Sequence, residues 1–315
     1  LERELRLNSN TFNHEQTVPK PDEVFPVTLK DGAVTQIRRY ANPGKPCVAL
    51  SHGNGFAIDA YAPFWEPLRK DFELCVFDQR HHGWNERPVS QKTGYYLFAE
   101  DMEQIFRALK SRYPEVPIYG AFHSVSAIAS FLQSATHETL IEALVLFDPP
   151  LQPPKDHHLY QQAYDYEMKL SVWSKTRQEK FSSPNELAEQ FSKSRSLSDW
   201  ADGAHDLMAH SILRESGDHW EIRCLPAIES QIYIDSAELL IWELLSAPKM
   251  PVAIVYGDPN HPAKMAPASV CEDFVQEFGI PHRSIKDTTH LLQVEKPDAC
   301  REAFYELLNE LVGKL

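Results

Sequence analysis

Five short, almost wholly apolar runs punctuate the chain, at residues 47–51, 72–77, 118–122, 143–147 and 252–256. Glu73 is the one charge among them, and each run ends in a polar or glycine-rich turn. Runs of this length and composition predict parallel strands buried on both faces. Residues 24–29 and 34–40 are β-rich and flank Asp31-Gly32, a strong hairpin turn signal. A further strand is expected near 282–285. Helical patterns lie between the strands. Residues 98–112 carry apolar positions near helical spacing with charges opposite, and 127–135, 268–278 and 297–312 each follow a strand. Strand–helix alternation implies right-handed crossovers and a doubly wound α/β sheet.

The alternation breaks between 151 and 248. This stretch has a proline-rich entry (Pro149, Pro150, Pro153, Pro154), helical patterns such as 184–193, and many aromatics, among them Tyr166, Trp173, Phe191, Trp200, Tyr233 and Trp242. A structureless loop of that length is improbable in a compact domain. The reading is a core made of 1–150 and 249–315, with a helical cap, 151–248, inserted after strand six.

Composition narrows the partners. The 315 residues are 43% apolar and 24% charged, which suits a folded globular chain. Asp and Glu number 45 against 31 Lys and Arg, a formal charge of -14. An acidic surface disfavours nucleic acid and anionic membranes. No apolar run approaches the roughly 18 residues of a membrane-spanning helix, and residues 1–10 lack the apolar core of a secretory signal. The five cysteines (Cys47, Cys75, Cys224, Cys271, Cys300) have no CxxC pair and no zinc spacing, so reduced thiols in a cytoplasmic protein are expected. The terminal Gly313-Lys314-Leu315 distantly resembles a peroxisomal address. The His81-His82 and His157-His158 pairs lack a companion at ligand spacing, so no metal is expected. No Gly-rich phosphate loop follows a strand. The expected partners are a small-molecule substrate and, beyond it, a second copy of the chain in a homodimer.

Chemistry gathers around Ser124, which closes the 118–122 strand and opens the 127–135 helix. A strand-to-helix elbow there exposes a side-chain oxygen above the sheet edge and leaves the Val125 N–H at a helix N-terminus, where it can bind an oxyanion. The same serine could equally be a helix N-cap. In the pattern G-x-S-x-G the flanking positions here are Phe122 and Ser126, and Phe122 departs from it. Three further segments occur in order around the serine. His52-Gly53-Asn54-Gly55 follows the 47–51 strand. Asp78-Gln79-Arg80-His81-His82-Gly83-Trp84-Asn85 follows the next. Thr289-His290 precedes Glu295 and Pro297 near the end. With these, the chain resembles the α/β-hydrolase family over about residues 24–312, outside the insertion.

The resemblance implies an eight-stranded, mostly parallel sheet with a cap, a serine nucleophile at Ser124 and a histidine base at His290. The acid stays open between Asp148, just after the sixth strand, and Asp258, in the loop after Gly257. The family's usual acid position falls on Asn260, which has no charge to offer, and Asp148 is favoured. Asn54 and Val125 are the expected oxyanion donors. Gly55, Phe56, Phe122 and Trp84 are the expected substrate contacts, and cap aromatics would form an apolar ceiling. His52 and His82 are expected to hold loops. Serine at 124 disfavours the aspartate-dependent dehalogenase and epoxide hydrolase chemistries of similar loops. No cofactor is implied. The function expected is hydrolysis of a carboxylic ester, lactone or thioester of a moderately apolar small molecule through an acyl-enzyme. The same site could cleave carbon–carbon bonds, transfer acyl groups or rearrange secondary metabolites, or the scaffold could serve as a non-catalytic ligand receptor.

Overall fold

The computed structural model describes residues 18–86, 90–194, 197–263 and 265–313. The segment 1–10 and the last two residues of the terminal tripeptide lie outside them.

The eight strands of the main sheet are β1 (Glu23–Thr28), β2 (Val34–Tyr40), β3 (Cys47–Ser51), β4 (Glu73–Phe77), β5 (Ile118–His123), β6 (Ala143–Phe147), β10 (Val252–Tyr256) and β11 (His282–Ser284). Their order is β1-β2-β4-β3-β5-β6-β10-β11. The Asp31-Gly32 turn joins β1 and β2 as an antiparallel hairpin, β2 is antiparallel to β4, and every later pairing is parallel. Strands β3, β4, β5, β6 and β10 are buried along their whole length, as their mostly apolar sequences require. Helices α1 (Tyr95–Arg112), α2 (Val125–Thr136), α7 (Ala266–Phe278) and α8 (Pro297–Val312) cover the two faces.

Between β6 and β10 the chain forms α3 (Tyr160–Ser174), α4 (Pro184–Ser192), α5 (Ala204–Ile212) and α6 (Pro226–Ala237). It also forms a small antiparallel sheet of β7 (Lys180–Phe181), β8 (Leu213–Ser216) and β9 (His219–Ile222), in the order β7-β9-β8. The insertion is mostly helical, and it also carries a small three-stranded sheet that the sequence pattern did not indicate. A two-residue Gly217-Asp218 turn, with Gly217 at φ 65°, closes the β8–β9 hairpin.

Phe122, expected at the substrate, lies instead in the core. It is fully buried against Phe77 and Phe106, at ring-centroid distances of 6.0 and 5.9 Å. Gly120 makes that possible, because it lies two residues earlier on the same face of β5. A methyl group there would come 2.4 Å from the Phe122 ring and 2.6 Å from Leu144. The glycine that the elbow pattern places beside the serine is displaced by two residues, and the ring folds back over it. Gly120→Ala is thus expected to cost about 1–3 kcal/mol by overpacking. Urea unfolding should also show Phe122→Leu costing less in the Gly120→Ala background than in wild type. Additive losses would contradict this packing.

Candidate active site

Ser124 sits at φ 52° and ψ -117°, a backbone conformation that L residues rarely adopt. Two contacts hold it there. Its N–H donates to the Phe147 carbonyl at 3.0 Å, tying the end of β5 to the end of β6. Next to it, the Ser126 hydroxyl donates to the His123 carbonyl at 2.8 Å and accepts the His123 N–H at 3.0 Å. Ser126 thus locks the turn where the family pattern has glycine. The Ser124 side chain makes no capping bond to α2, so the N-cap reading does not describe it. Its hydroxyl donates instead to His290 Nε2 at 2.9 Å.

His290 Nδ1 donates to Asp148 Oδ2 at 2.6 Å. This bond fixes the tautomer that leaves Nε2 free to accept from serine. Asp148 is fully buried, stands at φ 41°, and takes the Gly257 N–H on its other oxygen at 3.2 Å. Asp258 goes elsewhere: its oxygens accept the Asn260 N–H at 2.8 Å and the Asp287 N–H at 3.0 Å. Those two backbone bonds hold its pKa below the usual carboxylate value. The structure brings Ser124, His290 and Asp148 together and leaves Asp258 as a loop-capping carboxylate. The loop before His290 is braced by Glu295, which accepts the Thr289 N–H at 2.6 Å and its hydroxyl as well.

The loop after β3 approaches the elbow closely. A Cβ on Gly53 would lie 2.8 Å from His123 Nδ1 and 3.1 Å from Ser124 Cβ, so only glycine fits. A short hydrogen-bond chain runs through the same place. The Gly53 N–H meets the Tyr61 hydroxyl at 3.4 Å, that hydroxyl donates to His123 Nδ1 at 2.8 Å, and His123 Nε2 donates to the His290 carbonyl at 2.9 Å. Burial, reinforced by His290 nearby, keeps His123 neutral, with its pKa well below the ordinary value. Sequence reasoning missed Tyr61. His52 and His82 hold loops, as expected: His52 Nε2 accepts the Gln79 N–H at 3.1 Å and His82 Nε2 accepts the Gly55 N–H at 3.0 Å. Among the described residues, the backbone N–H groups of Asn54 and Val125 are committed to no acceptor. Uncommitted backbone N–H groups are what an oxyanion site needs.

Behind this loop lies a buried charge network. Arg38 pairs with Asp78 at 2.7 Å and with Asp59 at 3.2 Å, all three side chains being almost wholly buried. Trp84 belongs to this network. Its indole N–H donates to Asp59 at 2.7 Å and its ring lies 4.7 Å from the Arg38 guanidinium, which assigns it to loop support and corrects its expected place at the substrate.

The insertion contacts the loop after β3 directly. Asn54 donates through its side chain to the Glu229 carbonyl on α6 at 2.9 Å. The Glu229 carboxylate lies directly over Gly55, 2.7 Å from where a Cβ would stand, and pairs with Arg177 at 2.5 Å. Phe56 packs edge-on against Trp200, with centroids 6.5 Å apart. Phe181, Phe191 and Trp200 are buried in the hydrophobic core, and Trp242 packs on Phe274. The insertion also brings polar groups to this side: the Glu167 and Glu229 carboxyls are buried, and Tyr166 and Tyr233 are half-buried. Elsewhere, His157 and His158 find a companion that spacing did not reveal, with Asp273 at 3.7 and 3.2 Å from their Nε2 atoms. His157 Nδ1 accepts the Leu159 N–H, so its Nε2 carries the proton and points it at the carboxylate.

A family model described as serine aminopeptidase, S33, matches residues 42–211, more than half of the chain. The protein belongs to this family of the α/β-hydrolases and is an enzyme of that superfamily. Rat (Rattus norvegicus) monoglyceride lipase is 28% identical over 138 residues, which cover 42% of this chain and 45% of the lipase, so the chain spans less than half the length of that relative. Among solved structures, E-2-(acetamidomethylene)succinate hydrolase aligns with a TM-score of 0.75 at 16% identity, covering 91% of this chain and 99% of its own. A thioesterase domain from the curacin biosynthetic pathway aligns with a TM-score of 0.69 at 15% identity, with coverages of 91% and 99%. At these identities the two structures show the shared fold. Among the described residues no helix is long and apolar enough to cross a membrane.

The Arg38–Asp78 pair makes the support of the loop after β3 acid-sensitive. Burial alone would raise the Asp78 pKa, but Arg38, His52 and the N–H groups of Trp84 and Ile58 together hold it down at about 2. Its folded pKa lies below the unfolded value of about 3.9, so its contribution is full above pH ~4 and is lost as pH falls through ~2. That contribution is on the order of 2 kcal/mol. Asp78→Ala should cost about 3–5 kcal/mol at neutral pH, leaving Arg38 buried against Asp59 alone, and should remove this part of the acid dependence. Urea unfolding between pH 7 and 2 measures both; an unchanged acid profile in the variant would contradict the assignment.

Proposed function

We propose that the protein hydrolyses a carboxylic ester, lactone or thioester through an acyl-enzyme on Ser124. The observation that carries this reading is the unbroken contact series Ser124 Oγ–His290 Nε2 at 2.9 Å and His290 Nδ1–Asp148 Oδ2 at 2.6 Å. His290 takes the serine proton as Oγ attacks the carbonyl carbon. Asp148 holds the imidazole in place and stabilises the imidazolium that forms. The Asn54 and Val125 N–H groups take the developing oxyanion. As the tetrahedral intermediate collapses, His290 gives its proton to the leaving alcohol or thiol. Water, deprotonated by the same imidazole, then attacks the acyl-enzyme and releases the acid. Residues 151–248 act as the cap that encloses the carbonyl and excludes bulk water.

The likeness to a protein named monoglyceride lipase and to a thioesterase domain supports ester and thioester carbonyls as the reacting groups. The unbroken contacts also speak against a receptor, for which nothing would hold Ser124 in a strained backbone conformation facing a base.

Kinetics on p-nitrophenyl esters of graded chain length tests this reading. Ser124→Ala should abolish turnover. Asp148→Asn should lower kcat by about 10⁴-fold, as loss of a triad acid does, while Asp258→Asn stays within a few-fold of wild type. A dead Asp258→Asn beside an active Asp148→Asn would reverse the acid assignment, and an active Ser124→Ala would sink the acyl-enzyme itself.

A further inference from the structure

The turn that leads into α3 carries two histidines side by side, and the fold sets them against α7 of the core. His157 Nε2 lies 3.7 Å and His158 Nε2 3.2 Å from Asp273 Oδ2, and the three atoms all lie within 4.8 Å of one another. No hydrogen bond closes either gap. Among the described residues, Asp273 Oδ2 is shut off from solvent and has no hydrogen-bond partner. A buried carboxylate oxygen in that state is costly, and a bound ion is one of the few things that complete it.

The packing holds the donors in place. The His157 ring lies 5.2 Å from that of Trp242, which meets Phe274, the residue after Asp273, edge-on at 4.9 Å. The two histidine rings are 4.6 Å apart and tilted by 31°, and both turn Nε2 toward the same carboxylate oxygen. Two imidazoles and one carboxylate suit zinc, whereas calcium and magnesium favour oxygen donors alone. Tetrahedral zinc bonds such atoms at about 2.0–2.2 Å, which sets two of its ligands roughly 3.3–3.6 Å apart. The 3.2 and 3.7 Å separations lie at the edges of that range. His158 is 72% exposed, so an ion can enter from solvent and keep water in its fourth position.

We propose that His157, His158 and Asp273 form a zinc site that pins the entry of the insertion to α7. The role is structural. The same helix reaches the strand end that carries the triad acid, since Cys271 Sγ donates to the carbonyl of Pro149, next to Asp148, at 3.3 Å. Binding exchanges one hydrogen bond. Without metal, His157 Nδ1 accepts the Leu159 N–H at 3.2 Å and the ring proton is on Nε2. With zinc on Nε2 the ring proton moves to Nδ1, and the Leu159 N–H turns to water. Loss of that bond weakens binding by about ten-fold. The expected affinity is therefore on the order of micromolar rather than nanomolar. This inference does not depend on the acyl-enzyme reading.

The test titrates the intact protein, stripped of metal by a chelator that is then removed, with zinc chloride in a calorimeter. One zinc per chain is expected, with a midpoint of thermal unfolding that rises with zinc concentration. His158→Ala, at an exposed position that the fold does not need, should weaken binding at least roughly 10-fold and remove the rise in midpoint. Asp273→Asn, which keeps the shape and removes the charge, should do the same. No saturable binding up to about 100 μM zinc, or zinc held by both variants as tightly as by wild type, overturns the proposal.

Discussion

The bond between the buried Asp148 carboxylate and His290 is the contact on which the arrangement of the site depends. Asp148 stands at the end of β6, and its backbone N–H bonds the Val255 carbonyl of β10 at 2.7 Å. Ser124 stands at the end of β5 and bonds β6 through Phe147. The carboxyl ends of three neighbouring parallel strands are thereby tied together, and His290 joins them from the loop after β11. Both Asp148 and Ser124 hold positive φ, at a cost of order 1–3 kcal/mol each. Strain of this size persists only where surrounding contacts over-determine it, and here it aims a carboxylate and a hydroxyl at one imidazole.

The second half of the site is made by two elements far apart in sequence. The loop after β3 is held on one side by Arg38, Asp78 and two buried histidines, and on the other by α6 through Asn54 and Glu229. Gly53 lets the loop approach the elbow, and Gly55 lets the Glu229 carboxylate lie on its backbone. The insertion therefore carries charge and hydroxyl groups toward the reacting centre as well as a hydrophobic body away from it. Phe181, Phe191 and Trp200 belong to the core cluster shared with the main sheet, and Trp200 packs on both Phe56 and Phe191.

Much of this was legible in the sequence because parallel strands buried on both faces advertise themselves as short apolar runs. Strands β3, β6 and β10 have the bounds their runs indicated, and α8 the bounds of its pattern. Ser124, His290 and Asp148 were named from motif order and from the uncharged Asn260, and the structure brings these three side chains together. What local pattern hides is direction and long-range pairing. Phe122 lies two residues before Ser124 in sequence but packs on Phe77 and Phe106, and Gly120 was the cue to its packing. Trp84 is spent on Arg38 and Asp59, 46 and 25 residues away by number. The β8–β9 hairpin carried a Gly-Asp turn signal that the polar His219–Ile222 strand obscured.

Covalent labelling tests the central claim most directly. The intact protein is treated with a fluorophosphonate and the adduct is mapped by peptide mass. One adduct per chain, on Ser124, formed at a rate that collapses in His290→Ala, is the predicted result. A folded protein that stays unlabelled, or that is labelled at Ser126 or another serine with no dependence on His290, would contradict it.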